Sequence, residues 1–175
     1  MTRNTALLII DVQTGLFDEG AYRADDLLAN VSSLTTRARG ANVPVIYVQH
    51  NAHDPQDSLH PDNPGHVIHP PVAPHQGELV VQKTTADSFH DTTLRQELEA
   101  RGIHKLIIAG MQTDECVNAT SRRAVQLGYD VTLVSDAHTT GDGKTTQQII
   151  DDHNRDLEKV GAHLVTTDKV QFKSD

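Results

Sequence analysis

A chain of 175 residues can bury about 70% of the surface its unfolded form would expose, so one hydrophobic core without disulfide or metal staples is expected. The formal charge of −9 argues against a nucleic-acid partner, whose affinity would need clustered Lys and Arg to neutralise phosphates. The longest apolar runs, ALLII and LIIAG, fall far short of the roughly 20 residues of a membrane-spanning helix, and neither a signal peptide nor an internal disulfide fits the N-terminal run and the lone cysteine, so the cytoplasm is the expected compartment.

In chain order, the apolar run Ala6–Ile10 reads as a strand. Leu27, Leu28, Val31 and Leu34 then fall on one helical face, and Gly40 closes that helix. A second strand spans Val43–Val48. The segment from Asn51 to Gly77 is rich in Pro, His and Asp and has no sustained period; it reads as an ordered excursion over one end of the sheet, since long loops in compact domains usually carry function. Strands at Leu79–Val81, Leu106–Ala109, Val131–Val134 and Leu164–Val165 follow. Helices between them end at Gly102, Gly128 and Gly161, where glycine tolerates the left-handed conformation past a helix end. In the last helix Ile149, Ile150, His153, Leu157 and Val160 share a face. Continuous apolar strands alternating with helices predict an α/β fold, a parallel sheet in three α/β/α layers, as one domain over residues 1–175 without internal repeats.

In such a sheet the active site lies beyond the carboxyl ends of the strands, where the strand order reverses. Asp11 ends the first strand, Lys83 ends the third, and Cys116, the only cysteine, follows Gly110 at the end of the fourth. Their chemistry is complementary: a thiol must ionise to attack, a carboxylate can take its proton, and an ammonium can stabilise the resulting charge. Thr113 or Asp114 is expected to cap the next helix, placing Cys116 in its first turn, where unpaired amides favour an anion. Asp114 and Glu115 would oppose ionisation, leaving Lys83 to offset them. Val117, Ser121, Ala124, Val125 and Gly128 give that helix a face of small residues for packing on the sheet.

The chain resembles the isochorismatase-like cysteine hydrolases over nearly its whole length: LLIIDVQTGLFD is similar to the family's opening strand, VVQKTTADSFHDTTL to its lysine segment, and IIAGMQTDECVNATSRRAVQLGYDVTLVSDAHTT to its cysteine segment. The resemblance implies a six-stranded parallel, Rossmann-like sheet, a catalytic triad at Asp11, Lys83 and Cys116, and a cis peptide between Met111 and Gln112. It further implies acyl transfer through a Cys116 thioester, with the main-chain amides of Gln112 and Cys116 holding the oxyanion. Members that act on the enol ether of isochorismate typically carry glycine at the cysteine position, so Cys116 favours cleavage of a C–N bond in a small amide or carbamate. Association into dimers or larger homo-oligomers is a further expectation of the resemblance.

Seven of the eleven histidines lie between His50 and His90, which raises the question of a metal. The family's nicotinamidase-like members hold one with an Asp-x-His motif after the second strand, which is missing from QHNAHDPQDSLHPDNPGHVIHP; this stretch resembles the non-metal branch, with its Gln-His and Pro-Gly-x-x-Ile-His-Pro elements, so no metal and no cofactor are expected. Phe17, Asn51, Phe89, Gln112 and His138 are candidates to contact a small-molecule substrate. The alternatives are a metal-assisted, nicotinamidase-like deamidase, a silent or redox member of the same fold, and a nucleotide-binding module. DVQTGLFDEG lacks the glycine spacing of a nucleotide-binding loop, and the lone thiol has no resolving partner in the chain.

Overall fold

A computed structural model describes residues 4–172. Its centre is β1 (Thr5–Ile10), in which Ala6 to Ile10 are all fully buried. Strand geometry sends alternate side chains to opposite faces, so Leu7 and Ile9 enter one apolar layer while Ala6, Leu8 and Ile10 enter the other. A strand covered on both faces needs this unbroken apolar run, which is why the sequence shows no alternation there. After the short helix α1 (Thr14–Asp18) and the long α2 (Ala24–Gly40), β2 (Val45–His50) pairs with β1 on one side. β3 (Leu79–Lys83) extends that edge, followed by α3 (Leu94–Ala100). β4 (Lys105–Met111) lies on the other side of β1, then α4 (Asn118–Gln126), β5 (Asp130–Thr139), α5 (Thr146–Lys159) and β6 (His163–Val165) complete the sheet.

The six strands are all parallel, in the order β3-β2-β1-β4-β5-β6. Leu27, Val31, Leu34 and Ala38 of α2 pack on one face; Leu94 and Leu98 of α3, Ala124 of α4 and Leu157 of α5 pack on the other. The chain therefore folds as the expected three-layer α/β/α sandwich. Strand order reverses between β1 and β4, which fixes where a crevice opens.

Details depart from the sequence reading. Gly40 is the last residue of α2, and the left-handed position beyond it belongs to Asn42, at φ 56°. Val160 is 41% exposed and does not share the buried face of Ile150 and Leu157. α1 was not anticipated, because five residues give no readable period. β5 continues well past Val134, through polar residues that no apolar pattern marks as strand. The excursion from Asn51 to Gly77 is ordered as read: it carries two short 3-10 turns, Pro64–His66 and Pro70–Val72, and buries Leu59, Ile68 and Val72 against the core. Gly65 lies so close to Gly15 that a Cβ there would sit 2.8 Å from the Gly15 Cα, which seats the loop on α1. Among the described residues no helix is long and apolar enough to cross a membrane.

Where β4 passes β1, Gly110 adopts φ +132°, and an added Cβ would meet the Ile10 carbonyl oxygen at 2.1 Å. Both backbones belong to central strands and neither can retreat. Gly110→Ala is expected to cost about 3 kcal/mol or more in urea unfolding, a size reserved for backbone strain and core disruption. Gly40→Ala, with open space around the added methyl, should be neutral or stabilising by about 0.5–1 kcal/mol; equal effects at the two positions would contradict this account of the β1–β4 approach.

Candidate active site

Asp11 leaves β1 in the left-handed region, at φ 49°, a conformation Asp tolerates better than most residues. Its carboxylate is thereby set at the C-terminal end of the sheet, where Lys83 ends β3 and Cys116 follows β4. Lys83 Nζ lies 2.8 Å from Asp11 Oδ2, with both side chains essentially shielded from water. The same ammonium donates to the Thr85 carbonyl at 2.9 Å and approaches His50 Nδ1 at 3.0 Å and Cys116 Sγ at 3.2 Å. The three residues that the sequence singled out are thus brought together around one nitrogen.

An ammonium has three protons, and here four acceptors compete for them. Three protons cannot serve Asp11, Thr85, His50 and the sulfur all at once. Because lysine only donates, His50 must offer a lone pair at Nδ1 and carry its own proton on Nε2. Burial, and then the Lys83 charge, push the His50 pKa below its ordinary value, which keeps it neutral. The Cys116 thiol is pushed up to about 12, by burial first and then by the Asp11 charge, with Lys83 acting in the opposite direction. Asp114 and Glu115, expected to oppose ionisation, are both exposed; the acid that acts on the sulfur is Asp11.

Neither Thr113 nor Asp114 caps a helix. The chain enters through a π-helical turn, Thr113–Val117, whose preceding residue Gln112 makes no side-chain cap. Val117 N–H bonds back to the Gln112 carbonyl at 3.0 Å, so Cys116 sits within this wider turn, ahead of α4. The Met111–Gln112 peptide is cis. The Thr113 hydroxyl instead meets His138 Nδ1 at 2.8 Å, and His138 Nε2 meets Asn154 Oδ1 at 2.7 Å, a buried chain tying the turn to β5 and α5.

Cys116, Gln112, Asp11 and His50 line one cavity of about 410 Å³, with Leu16, Leu59 and Thr84, Thr85 and Ala86 as walls and Glu19, Asp57, Ser58 and Glu115 also facing it. The other suggested substrate contacts lie elsewhere. Phe17 stacks on His69, with ring centroids 4.6 Å apart. Asn51 Oδ1 lies 2.6 Å from His66 Nε2. Phe89 packs on Tyr129, and His138 is buried in the chain just described. None of these four is among the residues lining the cavity. The histidines of the loop are likewise spread over separate contacts; among the described residues no three His, Cys, Asp or Glu side chains gather as a metal-binding group.

The isochorismatase domain model matches residues 5–169. The chain belongs to the isochorismatase family. It is 36% identical over 169 residues to streptothricin hydrolase of Streptomyces noursei, covering 95% of this chain and 61% of that protein, so it spans about three fifths of that relative's length. The ureidoacrylate amidohydrolase RutB of Agrobacterium fabrum is 27% identical over 172 residues, covering 76% of this chain and 75% of the relative. A crystal structure of an isochorismatase-family hydrolase from Oleispira antarctica superposes with a TM-score of 0.90 at 30% identity, covering 97% of this chain and 96% of that one.

Within this family fold, sequence reasoning missed two residues that shape the site. Gln13, fully buried, donates through Nε2 to the carbonyls of His50 and His66 and accepts the His50 amide, all within 3.0 Å. It holds the end of β2 to the returning loop. His50 meets Lys83 directly; the sequence marked it as the end of an apolar strand and as half of the Gln-His element, neither of which points to the lysine.

The buried chain through His138 makes a measurable demand on pH. Burial lowers the His138 pKa to about 4, so the folded state resists a proton that the unfolded chain takes up near pH 6.5. The sign follows: its contribution is complete above about pH 6.5 and is lost as pH falls toward 4, on the order of 3 kcal/mol. Urea midpoints of the native chain should fall over this interval, and the fall should be shallower in His138→Gln; parallel profiles would show that another group governs acid stability.

Proposed function

We propose that the chain is a cysteine hydrolase that cleaves the C–N bond of a small amide or carbamate through a thioester on Cys116. The observation that carries this reading is the buried Lys83 ammonium, which bridges the Asp11 carboxylate and the Cys116 sulfur beside a cavity of substrate size. Asp11 Oδ2 is engaged by Lys83, whereas Asp11 Oδ1 is buried without a hydrogen-bond partner. That free lone pair is the acceptor for the thiol proton.

In the proposed reaction the proton passes from Cys116 to Asp11 as sulfur attacks the carbonyl carbon, because a thiol with a pKa near 12 supplies little free thiolate at neutral pH. Lys83 turns one of its N–H groups toward the developing sulfur anion. The main-chain N–H groups of Gln112 and Cys116 hold the oxyanion. The C–N bond breaks as Asp11 returns the proton to the leaving nitrogen, which departs as ammonia or an amine. Water, deprotonated by Asp11, then attacks the thioester; the C–S bond breaks, a carboxylic acid leaves in the case of an amide or a carbonic acid half-ester in the case of a carbamate, and the proton returns to sulfur. The names of the amidohydrolase and streptothricin hydrolase relatives agree with hydrolytic chemistry of this kind.

The test is a panel of small amides and carbamates followed by intact-protein mass spectrometry. An acyl adduct confined to Cys116 is expected, with Lys83→Ala and Cys116→Ala both lowering kcat/KM by about 10³-fold or more because the groups act as a unit. Absence of adduct and turnover across the panel, or an active Lys83→Ala protein, would overturn the assignment.

A further inference from the structure

Alternation along a strand decides which side chains can meet. Val48 of β2 and Val81 of β3 enter the apolar layer that also receives Val117 and against which Cys116 packs. His50 and Lys83 follow them by two residues, so both return to that same side of the sheet. The two are also partners in the parallel register, and just beyond them the Asn51 amide donates to the Lys83 carbonyl at 2.8 Å. Gln13 holds the His50 amide and carbonyl together. The imidazole is therefore set beside the ammonium, on the side where the cysteine turn arrives, by sheet register and a clamped backbone.

This placement bears on how the protons of Lys83 are shared. Nζ has three for Asp11 Oδ2, the Thr85 carbonyl, His50 Nδ1 and Cys116 Sγ. The Asp11 carboxylate is charged, which makes its bond the strongest, and the Thr85 carbonyl is an amide oxygen. Between the remaining two, a thiol sulfur is a weak acceptor, whereas the lone pair of a neutral imidazole is a full one. Burial and the Lys83 charge keep the ring neutral, so that lone pair stays available. To form a thiolate, the site must turn toward sulfur an N–H group that another acceptor holds.

We propose that His50 is a positioning residue that acts through Lys83, drawing an ammonium proton away from Cys116 so that the unliganded thiol stays protonated. The proposal deepens the thiol-hydrolase reading and rests on it only for the purpose served, a nucleophile kept quiet between turnovers. Only hydrogen bonds are redistributed. Removing the His50 acceptor should make the thiol more acidic, because the freed N–H group is then available to the sulfur anion.

The lone cysteine allows a test that needs no turnover. Asparagine and leucine branch alike at Cγ and match in shape, but only asparagine carries an acceptor, Oδ1, near the place of Nδ1. His50→Asn and His50→Leu therefore open the site to a similar extent and differ in their demand on Lys83. An N–H group newly shared with the thiolate lowers the Cys116 pKa by about one unit, a tenfold gain in thiolate that the weaker nucleophilicity of a more acidic thiol reduces to about threefold. Iodoacetamide at about pH 9 should accordingly alkylate Cys116 about threefold faster or more in His50→Leu than in His50→Asn. In a Lys83→Met background, with no ammonium to share, the same two substitutions should give equal rates. A second matched pair, His50→Gln and His50→Met, carries the comparison if leucine disturbs the end of β2. Equal rates with Lys83 in place, a slower leucine variant, or a leucine lead that persists without Lys83 would each overturn the proposal. Turnover of the amide panel separates the two readings. A Lys83-dependent leucine lead without turnover of any amide would remove the hydrolase reading and leave the role of His50. Turnover with equal alkylation rates would remove the role of His50 and leave the hydrolase reading.

Discussion

The contact between Asp11 and Lys83 is what the rest of the site is built to accommodate. Two opposite charges are held 2.8 Å apart with almost no exposure to water. Desolvating them costs several kcal/mol per ion, so such a pair is poor evidence of stability and needs further hydrogen bonds to be tolerated. Here the surplus acceptors lie on the lysine side: the Thr85 carbonyl, His50 Nδ1 and the Cys116 sulfur share what Asp11 leaves. The carboxylate keeps one oxygen unpaired. The asymmetry gives the proposed chemistry its direction, with a satisfied ammonium that can reassign a proton and an unsatisfied carboxylate that can receive one.

The scaffold fixes this contact through backbone rather than side-chain packing. Parallel strands carry Asp11 and Lys83 to the same end of the sheet, and the reversal of strand order at β1 and β4 opens the space above them. Gly110 lets β4 approach β1 closer than any side chain would allow, immediately before the turn that presents Cys116. On the other flank, Gln13 binds the amide and carbonyl of His50 while also holding the long loop, so the end of β2 and the cavity wall are fixed together.

The fold was legible because its signals are strong and local. Each of the six strands carries an apolar run, and the strand-end rule then points to Asp11, Lys83 and the cysteine turn without reference to contacts. What stayed hidden has no such signature. The polar half of β5 is strand because it pairs with Gly110 and Met111 past a register shift, which no period reveals. Thr113 reads as a helix cap by residue type, yet its hydroxyl is taken by His138, a partner 25 positions away. Phe17, Asn51, Phe89 and His138 sit at plausible loop and strand-end positions, but where their side chains point depends on neighbours that only the folded chain supplies. Lys83, conversely, was found together with Asp11 and Cys116 from its strand-end position and the family resemblance, while its two other acceptors, the Thr85 carbonyl and His50, were not.

The central claim is that Cys116 rests as a neutral thiol and yields its proton to Asp11 only when a substrate is attacked. The rate of Cys116 alkylation by iodoacetamide, followed from pH 6 to 10 in the native chain and in Asp11→Asn, tests this directly. With the thiol pKa near 12, the native rate should climb about tenfold per pH unit with no plateau in that range. Removing the Asp11 charge should bring an inflection down toward the ordinary thiol range. A native profile that levels off near pH 7, or one indifferent to Asp11, would mean that the thiolate is already formed at rest and that the carboxylate does not govern it.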